Sequence, residues 1–228
     1  MSNRAVGLLR NIFNFAEKNG YLPFGSNPTK NISKFQENPR YRLLSEKELA
    51  AFGRAILHLK AEKPHISPSL DAILFLFATG RRKSEVLRLR WSDIDFERRL
   101  LRYRRTKTDP MSQGIPPDLI KLLEAMKTTK DSDWLFPNPM GTGPLKDFKK
   151  TWAKLIQMAD IENFRPHDIR HNVLSAVSAV SDLQTTAAIG GHSSYRSTER
   201  YVHARSDVIQ NVHNQVTAKA FKILLGDD

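Results

Sequence analysis

The chain has 228 residues, 40% of them apolar, enough to bury a real core and too many for a disordered tail. Lys and Arg number 36 against 24 Asp and Glu, a formal charge of +12 with pI near 10.0, which favours a polyanionic partner such as nucleic acid. No cysteine is present, so disulfides, thiolate nucleophiles and cysteine-based zinc sites are excluded, and with no signal peptide or long apolar run the expected location is the cytoplasm, away from membranes.

Residues 4–19 read as a helix with Val6, Leu9, Phe13 and Ala16 as its apolar stripe. Gly20, Pro23, Gly25, Asn27-Pro28 and Asn38-Pro39 then give a turn-rich linker. One amphipathic helix cannot bury its stripe alone, so residues 1–39 look like the end of a preceding domain. The main domain is expected over 40–228. Ser45 and Glu48 form the S-x-x-E capping pattern ahead of Leu49, Phe52, Ile56 and Leu59. Ser67-Pro68 opens a second helix, with Leu70, Ile73, Leu74 and Phe77 inward, ending at Thr79-Gly80.

Cations follow at once. Residues 81–107 hold eleven Lys/Arg against four Asp/Glu, a net of +7. Ile94, Phe96, Leu101 and Tyr103 suggest short strands turning near Arg98-Arg99, with a third at 114–116. Helices are expected over 118–127 and 145–159, the latter with Phe148, Trp152, Leu155 and Ile156 inward. A last helix carries Val208, Ile209, Val212, Val216, Phe221, Ile223 and Leu224. The fold class is mainly α with a small antiparallel sheet (α+β).

The chemistry gathers in residues 163–203. Pro166 suits the first position of a helix, which sets His167 and Arg170 in its first turn on one face. Free N–H groups at a helix start welcome phosphate. Gly190-Gly191-His192 adds a second imidazole, and Tyr201 lies nine residues further on. Arginine, imidazoles and a phenol together can attack a phosphodiester.

Five motifs then resemble the tyrosine recombinases of the phage-integrase type: T-G-R-R-K-S-E at 79–85, T-K-T at 106–108, H-D-I-R-H at 167–171, G-G-H-S-S at 190–194 and T-E-R-Y at 198–201. The resemblance covers about residues 40–205. It implies the DNA breaking-rejoining catalytic-domain fold, with 1–39 as the remnant of a core DNA-binding domain plus linker. It implies a catalytic set of Arg82, Lys107, His167, Arg170, His192 and Tyr201. Tyr201 would be the nucleophile, Lys107 the acid for the leaving 5′ oxygen, His167 the candidate base and His192 a donor to the phosphate. Arg81 stands where the family usually has an apolar residue, with no effect expected on the catalytic set. Glu85 is read as a structural partner orienting Arg82 or an imidazole, and His171 as a brace for its helix.

The expected partner is double-stranded DNA. The chain alone should be monomeric, with a tetramer on synapsed DNA assembled through the C-terminal helix. No cofactor and no metal is expected, because a phosphotyrosyl ester keeps the energy of the broken bond for religation. The rival readings are a metal-dependent nuclease using His167, Asp168, His171 and His192, and a non-catalytic DNA-binding or regulatory fragment. A type IB topoisomerase shares the chemistry, but small size and the T-E-R-Y setting favour a recombinase.

Overall fold

The computed structural model describes residues 2–33, 35–36, 42–103, 111–127, 132–178, 181–191 and 206–226. The chain divides into two compact units, Met1–Arg40 and Tyr41–Asp228.

In the first unit, helix α1 spans Ser2–Lys18. The following turns are folded back onto it rather than running free as a linker. Arg10 Nη2 donates to the carbonyls of Thr29 (2.6 Å) and Ile32 (3.0 Å), and the Asn27 N–H donates to Glu17 Oε1 at 2.6 Å. Polar side chains do the fastening: Val6, Phe13 and Ala16 are only half buried, while Leu9, Leu8, Ile12 and Phe15 stay exposed.

The second unit begins with α2 (Glu46–Glu62), which starts where the capping pattern expects it. Ser45 accepts from the Glu48 N–H, and Glu48 Oε2 accepts from the Ser45 N–H at 2.8 Å. Arg42 bonds the same carboxylate, and this bond above all holds Glu48 down to about 2. Helix α3 (Ser67–Thr79) is buried around its whole circumference from Ser69 onward, more than the single inward face expected. It is the central post of the domain. It ends at Gly80, whose left-handed φ of 62° turns the chain into the short α4 (Lys83–Val86).

Strands β1 (Ile94–Asp95), β2 (Leu100–Tyr103) and β3 (Met111–Gly114) pair antiparallel in that order. Arg99, at φ 51°, makes the expected turn between the first two. The third strand lies earlier than the residues 114–116 read from sequence. Tyr103 pairs with Met111 and Leu100 with Gly114, leaving only the Ile115 N–H bonded to the Arg99 carbonyl beyond it. Its buried member is polar: Gln113 accepts from the Tyr103 hydroxyl (3.2 Å) and donates to the Thr79 carbonyl (3.2 Å).

Helix α5 spans Pro117–Lys127, with Leu119 and Leu123 buried. Helix α6 is Lys149–Met158, starting later than expected. Pro137 bridges Pro144, and the Leu145 N–H donates to the Phe136 carbonyl, so residues 144–145 are held as a strand-like edge. Phe52 of α2, Phe77 of α3, Trp152 of α6 and Phe164 meet in one aromatic cluster, with centroids 5.5–6.4 Å apart around Phe52. The Trp152 indole donates to the Phe164 carbonyl at 3.3 Å, which fixes the chain just before α7 (Pro166–Ser178).

Helix α8 (Leu183–Gly190), started by the Asp182 side chain accepting from the Thr185 N–H, has no counterpart in the sequence reading. Helix α9 (Ser206–Leu225) packs on α2, α3, α5, α7 and α8 of its own chain. A Cβ on Gly53 would overlap the Leu224 carbonyl, so α2 and α9 touch backbone to backbone. His213 and Thr217 both bond the Ala78 carbonyl near the end of α3. Among the described residues, no helix is long and apolar enough to cross a membrane.

Candidate active site

Three helix ends converge: the C-terminus of α3 with the turn into α4, the N-terminus of α7, and the C-terminus of α8. Pro166 heads α7, and Asp168 Oδ2 accepts from the Arg165 N–H at 2.7 Å, closing the first turn. That turn carries His167 and Arg170. Arg170 is buried, and its Nη1 donates to the Gly80 carbonyl at 2.9 Å, tying α7 to the end of α3. Burial first, then the neighbouring charges of Arg82 and Arg81, bring the Arg170 guanidinium down to about 10, with Glu85 opposing them.

Arg82 opens α4. Its Nη1 lies 3.1 Å from Glu85 Oε1 and donates to the Gly191 carbonyl at 3.3 Å. Its side chain is 33% exposed, so of the arginines gathered here it is the one that reaches solvent. Glu85 therefore orients Arg82, and it holds Arg81 as well, at 3.0 Å through Oε2. Arg81, which stands where an apolar residue is expected, is 1% exposed and lies in the middle of the cluster. Its guanidinium carbon sits 4.4 Å from the centre of the Tyr103 ring. Sequence periodicity gave no sign of this: a charge beside a charge reads as surface, and the shared carboxylate with the Tyr103 ring is what offsets its burial. Burial pushes the Tyr103 phenol well above its ordinary value, so it is a neutral hydroxyl rather than a reactive one.

His167 is on the accessible side of the turn, edge-on to His171 with ring centres 5.0 Å apart. Partial desolvation, then His171 and Arg170, hold its imidazole below the ordinary 6.5; Asp168 opposes and Arg82 adds slightly. These neighbours favour the neutral form of the imidazole. The Asp168 carboxylate is engaged at the helix start, which counts against its use as a ligand beside His167.

Of the six residues expected from sequence, Arg82, His167 and Arg170 are thus brought together. Lys107, His192 and Tyr201 lie outside the described residues, as do Ser193, Ser194, Tyr195 and His203. Their attachment points are known. Lys107 lies in sequence between Tyr103 of β2 and Met111 of β3, which pair with each other, and His192 follows Gly191 directly.

A mainly helical domain with a small antiparallel sheet, presenting guanidiniums and an imidazole where helix ends converge, defines the catalytic-domain class of the DNA breaking-and-rejoining enzymes. The family model described as "Phage integrase family" matches residues 44–207. The chain belongs to the phage integrase family. It is similar to tyrosine recombinase XerC of Corynebacterium efficiens, 25% identical over 225 residues, which cover 95% of this chain and 71% of that one. Its fold is similar to that of the Tn1549 transposon integrase solved with circular intermediate DNA (TM-score 0.64, 18% identity, 90% of this chain and 77% of that one). The XerH site-specific recombinase bound to its palindromic difH substrate is also similar (TM-score 0.61, 20% identity, 82% and 57%).

Proposed function

We propose that this chain performs site-specific DNA strand transfer through a 3′-phosphotyrosyl intermediate, with no metal or nucleotide cofactor. The observation that carries the reading is the meeting of Arg82 and Arg170 at one spot, each held by backbone carbonyls and one of them open to solvent. Two forked, permanently charged guanidiniums match the two non-bridging oxygens of a phosphodiester. Negative charge builds on those oxygens during transfer, and fixed donors stabilise it without reorganising.

The Tyr201 phenol oxygen attacks phosphorus while His167 accepts its proton. The bond from phosphorus to the 5′ oxygen breaks, and Lys107 protonates that oxygen. His192 donates to the phosphate. In the second half a 5′ hydroxyl attacks the phosphotyrosine, Lys107 takes its proton, the bond from phosphorus to the Tyr201 oxygen breaks and His167 returns its proton to the leaving phenol, so no external energy source enters. Duplex DNA as partner is supported by the charge of +12 and by relatives of the same fold solved on DNA, and a DNA substrate is in keeping with the cytoplasm. The unit Met1–Arg40 is read as the remnant of a core DNA-binding domain with its linker. On synapsed DNA the working assembly is a tetramer assembled through the C-terminal helix α9; the isolated chain is a monomer.

The test is covalent capture. A pool of nicked duplexes with randomised cores, whose released strand cannot religate, is incubated with the chain in EDTA. Protein–DNA adducts that survive denaturant are amplified and sequenced. An enriched core, captured by the wild-type chain and not by Tyr201→Phe, is expected. Binding without an adduct would make the chain a DNA-binding fragment, and capture that EDTA abolishes would make it a metal enzyme.

A further inference from the structure

Arg81 is the largest fully buried side chain described in the molecule, and its guanidinium meets three neighbours at once. Glu85 gives it one carboxylate oxygen (3.0 Å) and gives the other to Arg82 (3.1 Å). The Tyr103 ring lies beneath it, 4.4 Å from ring centre to guanidinium carbon, a cation against an aromatic face. Gly191 closes over it: a Cβ there would overlap Nη1 and stand 2.8 Å from Cζ and 2.9 Å from Nη2, on a backbone already at φ +61°. Each neighbour is the root of one part of the site. Glu85 holds Arg82, Tyr103 is the last described residue before the segment bearing Lys107, and Gly191 precedes His192.

Burying a guanidinium is unfavourable unless it is paired, and an alkyl chain would fill the same space more cheaply. What the charge adds is direction and sign. It draws one oxygen of Glu85 away, so the carboxylate plane is fixed between two forks and Arg82 has one defined position. It also adds its charge to that of Arg82 beside Arg170, whose guanidinium registers both.

We propose that Arg81 is a positioning residue for strand transfer: wedged between Glu85, Tyr103 and Gly191, it sets where the Arg82 fork and the chain entering residue 192 stand relative to the scissile phosphate. The role rests on the strand-transfer reading above, and Arg81 acts through these neighbours without touching DNA.

The test uses the full chain and the duplex recovered by covalent capture, with single-turnover adduct formation followed over a range of duplex concentrations. In Arg81→Met, which keeps length and volume, the maximal rate should fall about ten- to a hundredfold while half-saturation moves less than about threefold, the pattern of a group that acts in the transition state. Arg81→Lys, which restores the charge opposite Glu85, should recover about tenfold of that loss. Gly191→Ala should slow the wild-type chain by a larger factor than it slows Arg81→Met, because the guanidinium branch that its Cβ strikes is gone there while the backbone strain at φ +61° is common to both. A wild-type maximal rate in Arg81→Met, a change in half-saturation alone, or independent multiplication of the two substitutions would overturn the proposal. If Arg81→Met melts below the assay temperature, Gly191→Ala decides by the same readout, and an unchanged maximal rate there overturns it. No adduct with the wild-type chain overturns the strand-transfer reading and this role with it, whereas a wild-type rate in the variants removes this role alone.

Discussion

Glu85→Gln isolates the carboxylate that Arg81 and Arg82 share. The amide has the same shape, so packing is kept while the negative charge is removed. Glu85 is 7% exposed and Arg81 1%, so water cannot replace the lost partner. Removing one member of a buried ion pair costs about 3–5 kcal/mol, against about 0–1 for an exposed pair. Arg82, one-third exposed, can relax toward solvent and absorb part of that. For a domain of this size each kcal/mol lowers the melting temperature by about 2–4 °C, so a drop of about 6–20 °C is expected in thermal denaturation followed by circular dichroism. Glu85 also opposes the depression of Arg170, so losing it leaves that guanidinium less favoured. Glu85→Asp should destabilise as well, since the shorter arm cannot span both forks. A melting temperature for Glu85→Gln within about 2 °C of wild type, below the roughly 1 kcal/mol equivalent, would show that the carboxylate is not the counter-charge of a buried cluster.

Arg170→Lys should lower the maximal rate of adduct formation by about 10²–10³-fold, the loss seen for one preorganised donor, because a single ammonium cannot hold the Gly80 carbonyl and grip phosphate together; a loss under tenfold in single-turnover capture would refute it. Gly53→Ala should destabilise by about 1–3 kcal/mol or more by driving α9 off α2, measured as a lower urea midpoint, and faster exchange of α9 amides should accompany it. His213, 2% exposed, is held below its ordinary 6.5 by burial, with carbonyl contacts to Ala78 and Gly114 opposing. The unfolded chain therefore takes up this proton more readily, so stability present above about pH 6.5 is lost as pH falls below it. Urea midpoints at pH 7.5 and 5.5 should differ less in His213→Gln than in wild type, and equal differences would remove His213 from the account.

Much of this architecture is legible from sequence where backbone chemistry leaves a mark. Ser45 with Glu48, Ser67-Pro68, Gly80 and Pro166 each sit at a helix end, because caps and turns demand particular residue types. The hidden parts depend on partners distant in sequence. Strand β3 carries Ser112 and Gln113, which read as loop until Gln113 meets Tyr103 and Thr79. The start of α6 is delayed by a bond between Leu145 and Phe136, and α8 is a short helix of threonines and alanines with no amphipathic stripe. In the site, the T-G-R-R motif points to Arg82, the arginine whose side chain reaches solvent, but says nothing of Arg81. Which of two adjacent arginines turns inward is decided by Glu85, Tyr103 and Gly191, spread over more than a hundred positions of the chain.

The contact between Gly53 and Leu224 spans almost the whole second unit. During synthesis, α2 and α3 leave the ribosome long before their last covering helix exists. The groove that receives Val212, Phe221 and Leu224 stays wet until then, and the Ala78 carbonyl next to the arginine turn lacks His213 and Thr217. A chain without α9 thus leaves unfinished the post from which Arg82 projects.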